Sequence, residues 1–224
     1  MKRTSDSNLL RFLTLLALSL PLMAVDLTAF KTPQNSWDDA FEAARQTNRV
    51  ITFPDGKYDL QRTIEVSDGM TLILEDGAEL TTSVTPLIHH TGGILVLEGR
   101  GRPGVLSSTV KGERGWMNPN RAAVIDLNDP SADNSPTLIL RNLEFRSFNG
   151  IDGYWMKDGD RNTVKNGIAS LEIDNCRFFC EEKGIAANGS IIHRARIENC
   201  LFEGCDNPIH LNVPMPGGIS VLNN

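Results

Sequence analysis

The sequence lacks the features that would direct it to a nucleic acid or hold it in a membrane. Its 22 Lys and Arg residues are outnumbered by 28 Asp and Glu residues, which gives a formal net charge of −6. Nucleic-acid binding needs a basic face, so this charge argues against such a partner. The apolar run at 13–20 is too short to span a bilayer comfortably, and the helix breaker Pro21 follows it. We therefore expect no nucleic-acid partner and, once the N-terminal segment is removed, no membrane.

Residues 1–24 have the pattern of a cleaved secretory signal peptide. Lys2, Arg3 and Arg11 make the start basic, the apolar run follows, and Ala24 offers a small residue at the cleavage point. The alternative is a single membrane anchor, which the short apolar run disfavours. The pattern predicts a secreted or periplasmic protein whose mature domain occupies 25–224. Because cleavage removes more basic than acidic residues, the mature chain is more acidic still.

Helical periodicity is scarce, and its one convincing instance lies near the start of the mature chain. Trp37, Phe41 and Ala44 place one apolar face on a helix over 36–46. From Thr71 onward the chain instead has short strands separated by turns that contain Gly or Asn. An amphipathic helix in this position can cover the open end of a sheet and block edge-to-edge aggregation.

The strands recur at a nearly fixed period. Similar segments occupy 138–145, 171–178 and 195–202, and a last copy at 219–223 ends with the sequence. Their shared asparagines are 33, 24 and 24 residues apart and stand at Asn142, Asn175, Asn199 and Asn223. A step of about 24 residues suits one coil of a parallel β-helix, in which equivalent residues stack about 4.8 Å apart. The repeat predicts about six such coils over 50–224.

Stacking of these copies predicts columns of like residues. Asparagines in successive turns can hydrogen-bond up and down a column through their side-chain amides. Two weaker copies, 72–76 and 95–99, lie 23 residues apart earlier in the chain. The three inward columns are aliphatic (Leu140, Ile173, Ile197, Val221), aromatic (Phe145, Phe178, Phe202) and isoleucine-only (Ile151, Ile185, Ile209).

Only four cysteines are present, and all lie in one stretch. Cys176 and Cys200 occupy the same repeat position, which predicts two stacked core residues, although neighbouring coils also suit a disulfide. Cys180 and Cys205 are offset by one residue and form the second candidate pair. The sequence stops inside a repeat at Asn224, which we interpret as a C-terminally incomplete β-helix. The alternative is that another chain covers that end.

Two sets of residues carry a resemblance to a known family. The segment from Trp37 through the Phe-Pro-Asp-Gly-Lys-Tyr run at 53–58 resembles the opening of the pectate-lyase-like superfamily. The segments 149–151 and 183–185 resemble the general parallel β-helix repeat. The resemblance implies an all-β fold, a right-handed parallel β-helix (solenoid) with an N-terminal capping α-helix. Lyases, glycoside hydrolases, epimerases and phage tailspikes share this opening, so it does not fix the activity.

The polygalacturonase-like signature of that superfamily is missing. Those members carry Asn-Thr-Asp, Asp-Asp and His-Gly on consecutive coils. The corresponding positions here read Phe-Asn-Gly at 148–150, Glu-Glu-Lys at 181–183 and Cys-Asp-Asn at 205–207. This departure argues against a polygalacturonase.

Charged residues on two neighbouring coils form the candidate catalytic site. Glu182 and Asp206 are 24 residues apart, so stacking brings them near each other, and His210 follows closely. Two carboxylates on adjacent coils can bind calcium or share acid and base roles. Lys183 can act as a base on a proton alpha to a uronate carboxylate. The alternative is that all four are solvated turn residues.

A longer step in the repeat supplies a candidate binding loop. The loop 152–168 and the turns at 181–184 and 205–210 follow the same strand of their coils, which predicts a groove for a linear sugar chain. Its candidate substrate-binding residues are Tyr154, Trp155 and Lys157, whose aromatic rings can stack on sugars or pack in the core. Asp158 and Asp160 alternate like calcium ligands, but an ordinary polar turn has the same pattern.

The three remaining histidines lack matched ligand partners. His89, His90 and His193 have no Cys or Asp at metal-ligand spacing, so we interpret them as surface or turn residues. The full set of observations predicts an exported carbohydrate-active protein, a polysaccharide lyase or a glycoside hydrolase, with an extracellular polysaccharide as its partner. Calcium is the one cofactor the pattern suggests. The alternative is a non-catalytic glycan-binding or structural module, or an inactive fragment.

Overall fold

Parallel strands make up most of the protein. The computed structural model describes residues 23–114, 122–127, 135–154, 167–188, 191–212 and 216–224. These ranges contain one α-helix and a short 3-10 helix beside the strands, which confirms the expected β-rich class. Within them no helix has the length and apolarity needed to cross a membrane. Most of the predicted signal peptide lies outside the described residues, so export stays a prediction.

The elements follow one another in a regular order. The α-helix, α1, is Trp37–Thr47, and the 3-10 helix is Leu27–Phe30. The strands are β1 (Val25–Asp26), β2 (Val50–Phe53), β3 (Lys57–Leu60), β4 (Ile64–Val66), β5 (Met70–Glu75), β6 (Glu79–Thr82), β7 (Ile88–His90), β8 (Ile94–Arg100), β9 (Gly104–Ser108), β10 (Ala123–Asp126), β11 (Thr137–Arg141), β12 (Leu143–Tyr154), β13 (Ser170–Asp174), β14 (Arg177–Asn188), β15 (Ala195–Glu198), β16 (Leu201–Glu203), β17 (Asn207–Asn212) and β18 (Ile219–Leu222).

Three stacks of parallel strands share these elements. The first stack runs β1, β2, β5, β8, β11, β13, β15, β18. The 12-residue strands β12 and β14 are bent across the other two, because the first part of β12 pairs with β9 and its second part with β10. The second stack therefore contains β3, β6, β9 and β16, and the third contains β4, β7, β10 and β17, each with parts of β12 and β14. The chain passes through the stacks in the same order each time.

Like residues stack in register through the interior. The predicted aliphatic column is confirmed by direct pairing of Leu140 with Ile173, Ile173 with Ile197 and Ile197 with Val221. The rings of Phe145, Phe178 and Phe202 stack at centroid distances of 4.6 and 4.9 Å. The isoleucine column is longer than predicted and comprises Ile64, Ile88, Ile125, Ile151, Ile185 and Ile209.

The early copies are offset from the predicted alignment. Leu72 pairs with Leu97 rather than with Leu95, so the true step between β5 and β8 is two residues longer than the prediction. A shift of two keeps every side chain on its own face, because side chains alternate with a period of two along a strand. The inward residues were therefore identified correctly although their partners were not.

The turn asparagines adopt a left-handed backbone. Asn142, Asn175, Asn199 and Asn223 have φ between 52° and 55°, a region that Asn tolerates better than other residues with a Cβ. Asn175 donates its side-chain amide to Asn142 Oδ1 at 3.1 Å, and Asn223 donates to Asn199 Oδ1 at 3.3 Å. Asn199 instead donates to Asp174 Oδ1 at 2.8 Å. The ladder is thus interrupted once, between Asn175 and Asn199.

Helix α1 packs on the first strands of the first two stacks. Ser36 accepts from the backbone N–H of Asp39, and Asp39 accepts in return from the Ser36 N–H, which forms a capping box. The buried Phe41 lies 6.2 Å from Phe53 of β2, centroid to centroid. Trp37 lies 4.7 Å from the ring of Tyr58 on β3. The apolar face predicted from sequence therefore packs on the end of the stacks that begins with β2 and β3.

Glycine at position 184 is required by the aromatic column. A Cβ there would lie 2.7 Å from the Phe202 ring and 2.8 Å from the Pro208 carbonyl oxygen. We expect Gly184→Ala to lower the free energy of unfolding by about 1–3 kcal/mol because the ring or the backbone must move. Gly153→Ala is the control, since its nearest contact is the flexible end of Ile168 at 3.0 Å. Urea denaturation should separate the two variants, and equal losses would contradict this packing.

His90 gives the fold a dependence on pH. The interpretation of this residue as a surface histidine is wrong: it is fully buried, with Nε2 3.0 Å from the Thr137 carbonyl oxygen and Nδ1 3.3 Å from that of Val66. Burial lowers the pKa of His90 below its ordinary 6.5, although the two carbonyl contacts oppose the shift. The unfolded chain therefore binds the proton more readily than the folded chain.

The free energy of unfolding should consequently fall as the pH drops below about 6.5 towards the folded-state pKa, and this loss should be absent above it. His90→Gln should flatten the slope between about pH 7 and pH 5, even if it lowers stability overall. His193→Gln, at an exposed position, should keep the wild-type slope. Urea titrations across this range measure all three, and an unchanged slope in His90→Gln would contradict a buried neutral imidazole.

Candidate functional site

A bulge in β14 determines where Glu182 and Lys183 lie. Ser147 of β12 pairs with Cys180, but two residues later Asn149 pairs with Lys183, so β14 contains one extra residue at this bend. Glu182 and Lys183 are only 5% and 4% exposed. Both lie inside a strand, so the prediction that they occupy an exposed turn is wrong. Bulges of this kind re-aim side chains, which accounts for two adjacent strand residues being buried together.

The two buried residues form an ion pair. Lys183 Nζ lies 2.6 Å from Glu182 Oε1, and the Lys183 backbone N–H donates to Asn149 Oδ1 at 2.9 Å. Asn149 is itself buried. A buried charge of either sign is costly to leave without its partner, so the pair holds both side chains in place. This arrangement ties the Lys183 ammonium to a carboxylate instead of presenting it to solvent.

Asp206 has a different partner from Glu182. The segment 109–114 follows β9 and places Lys111 on Glu181 and Arg114 on Asp206. The Asp206 side chain is 47% exposed, whereas Glu182 is buried. Register does set the two positions side by side, since Lys183 pairs with Asn207, but each carboxylate is held by its own cation. The predicted carboxylate pair is therefore divided between the interior and the surface.

The remaining predicted residues are only partly accessible to the structure. His210 lies on β17, half-buried, and pairs with Ala186 of β14. Tyr154 is the last residue of β12. Trp155, Lys157, Asp158 and Asp160 lie outside the described residues, so their binding roles and the calcium loop stay predictions. Among the residues that are described, no group of three or more His, Cys, Asp or Glu is arranged to hold a metal ion.

A column of titratable residues runs along the outside of the third stack. Each isoleucine of the inward column is followed by a residue that faces the other way, because side chains alternate along a strand. Register pairs these residues from strand to strand. We call this set the titratable column, and it comprises Glu65, His89, Asp126, Asp152, Ala186 and His210.

Contacts along the titratable column are close. His89 Nδ1 lies 2.8 Å from Glu65 Oε2, so the carboxylate orients the imidazole ring. Asp126 pairs directly with Asp152 on the neighbouring strand, about 4.8 Å away along the stack. Glu65 has a side chain 61% exposed, whereas Asp152 is 3% exposed. Two carboxyl groups thus stand side by side in surroundings of different polarity, next to a histidine that a third carboxylate holds.

Sequence reasoning missed four members of this column. Each isoleucine and the polar residue after it are visible as dipeptides at 64–65, 88–89, 125–126, 151–152, 185–186 and 209–210. The last three were found because the preceding strands repeat clearly. The first three were hidden because the chain between β9 and β11 takes a much longer path than a regular coil. Aligning all isoleucine dipeptides, rather than the asparagines alone, would have revealed the column.

The buried ion pair leads to a stability prediction. Lys183→Met leaves the Glu182 carboxylate buried without the ammonium, so we expect a loss of about 3–5 kcal/mol in the free energy of unfolding. The double variant Glu182→Gln/Lys183→Met should recover much of this loss, since no buried charge is left in the pair. Arg114→Ala, which breaks the exposed pair with Asp206, should cost under about 1 kcal/mol. Urea denaturation measures each variant, and equal effects of Lys183→Met and Arg114→Ala would contradict the burial.

Comparison with protein-family models, with curated proteins and with solved structures finds no significant match to this chain. The site is therefore argued from its own geometry.

Proposed function

We propose that this chain is a right-handed parallel β-helix of the pectate-lyase-like superfamily and that it is exported to act on an extracellular polysaccharide. Three stacks of parallel strands, entered repeatedly in the same order, support this fold. Parallel strands joined by crossovers are right-handed in nearly all proteins, which supports the hand. The opening at 53–58 supports the superfamily, since the Tyr58 hydroxyl closes its own turn by donating to the Pro54 carbonyl at 2.9 Å.

The observation that carries the activity is the pairing of Asp126 with Asp152 in the titratable column. Cleavage of a glycosidic bond commonly uses two carboxyl groups, one as general acid and one as base or nucleophile. His89, held by Glu65, stands on the strand next to Asp126 and can move a proton or bind a sugar hydroxyl. A linear polymer lying along the third stack would contact successive strands of the column.

Hydrolysis of a glycan without carboxylates fits this face better than elimination from a uronate polymer. Elimination needs a base at the surface, and the Lys183 ammonium is instead buried against Glu182. The titratable column contains three carboxyl groups and no Lys or Arg, so it repels a polyanion unless a cation such as calcium intervenes. In this proposal His210 belongs to the binding face, while Glu182, Lys183 and Asp206 position the strands beneath and beside it.

A substrate screen tests the proposal. The purified protein should release reducing ends from a neutral polysaccharide, without the ultraviolet absorbance of an unsaturated uronate product. Uronate polymers, each with and without added calcium, form the comparison arm. Unsaturated product from a uronate polymer would show a lyase and contradict the hydrolase assignment. Glycan binding without cleavage of any polymer would contradict the catalytic role and favour a binding module.

Substitution of the carboxyl pair locates the activity. Asp126→Asn and Asp152→Asn should each lower kcat by about 10²–10⁴-fold, because each removes one acid–base group. Glu203→Gln, at an exposed position of the second stack, should leave kcat unchanged. Circular dichroism checks that each variant keeps its strand signal. Full activity in both Asp variants would move the site away from the titratable column.

A further inference from the structure

The two cysteine pairs differ in how their members face each other. Cys176 and Cys200 directly precede the paired residues Arg177 and Leu201, so they are equivalent in successive passes of the chain. Equivalent residues of neighbouring parallel strands have parallel Cα–Cβ bonds about 4.8 Å apart, while a disulfide needs the two Cβ atoms within about 3.5–4.5 Å. Each thiol also donates to the carbonyl two residues earlier, at 3.4 Å for Cys176 and 3.1 Å for Cys200. This pair is therefore built as stacked core residues.

Cys180 and Cys205 escape the parallel arrangement. Phe179 pairs with Glu203, which sets Gly204 opposite Cys180, and Cys205 comes one residue later. Gly204 has φ 76°, a turn conformation that re-aims the following side chain. The two thiols are hydrogen-bonded to each other, and Cys205 Sγ lies 3.6 Å from the Phe178 carbonyl oxygen of β14. The offset thus turns the Cys205 side chain onto the strand that holds Cys180.

Access also differs between the two thiols. Cys180 is 2% exposed, whereas Cys205 is only partly buried. The hydrogen bond from Cys180 lowers the pKa of Cys205 to about 7, while the same bond and burial raise the pKa of Cys180. Thiolates are the attacking species in disulfide exchange. One cysteine is therefore placed to react with an external disulfide and the other to resolve the adduct.

We propose that Cys180 and Cys205 form a disulfide that links β14 to the turn before β17, while Cys176 and Cys200 remain thiols. The oxidant is a low-molecular-weight disulfide. The Cys205 thiolate attacks one of its sulfurs, which forms a mixed disulfide and expels one thiolate. The Cys180 sulfur then attacks Cys205 Sγ, gives its proton to solvent and expels the second thiolate. Two protein thiols lose two electrons, and one small disulfide becomes two thiols.

The cross-link would fasten the strands that follow β14 to the rest of the stack. It closes a loop that includes β15 and β16, and it lies three residues from the buried Lys183. Loop closure restricts the unfolded chain, so the oxidised protein should melt roughly 5–15 °C above the reduced one. The inference does not depend on the proposed catalytic activity, because it rests on the two side chains alone.

Oxidation of the folded protein tests the proposal. The wild-type chain is reduced with a phosphine, freed of reductant and incubated with glutathione disulfide at neutral pH without denaturant. Intact mass should show the loss of two hydrogens, and peptide mapping should recover one linked pair, Cys180 with Cys205. The Cys176→Ser/Cys200→Ser variant should oxidise in the same way. Four free thiols, or a mapped link between Cys176 and Cys200, would overturn the proposal.

A single substitution checks the order of the two steps. In Cys180→Ser the resolving thiol is gone, so Cys205 should retain one glutathione and no internal disulfide should form. In Cys205→Ser the buried Cys180 should take up far less glutathione in the same time. Faster labelling of Cys180 than of Cys205 would contradict the assignment of attacking and resolving thiols. The wild-type peptide map remains decisive if either variant fails to fold.

Discussion

Backbone hydrogen bonding between parallel strands in one fixed register is the constraint on which the rest of this protein depends. Each pass of the chain repeats the same three strands, so each residue lies above and below its equivalents. The core is consequently a set of columns, in which Ile64 to Ile209 or Phe145 to Phe202 pack against their own kind. A slip of one residue would expose the isoleucines and bury Glu65 and Asp126, which makes the register strongly specified.

The same constraint makes part of the fold readable from sequence. The last passes of the chain keep a step of 24 residues, so Asn175, Asn199 and Asn223 aligned correctly and the columns through them were confirmed. The earlier passes could not be aligned by period, because the segment between β9 and β11 departs from the regular length and no local signal states how much of it is loop. Helix α1 was predictable because its capping residue and apolar face are local features.

The candidate site was less predictable, since it depends on which way single residues face. His89 and His90 are neighbours in sequence, yet one joins the titratable column and the other is buried between carbonyl oxygens. Glu182 and Lys183 are buried because a bulge adds one residue to β14, and nothing local distinguishes that residue from a turn. Asp206 is held by Arg114, more than 90 residues earlier in the chain. Contacts of this kind follow from register and cannot be read from composition.

Pulsed electron paramagnetic resonance tests the stacking directly. Nitroxides introduced through unnatural amino acids leave the native cysteines in place. Thr71 and Ser220 lie five strands apart in one outward column of the first stack, and Thr71 and Glu172 lie three apart. The register predicts separations of about 24 Å and about 14 Å, each widened by the label. Distances that do not rise with the number of intervening strands would contradict the stacking on which the columns, the site and the cysteine pairing all rest.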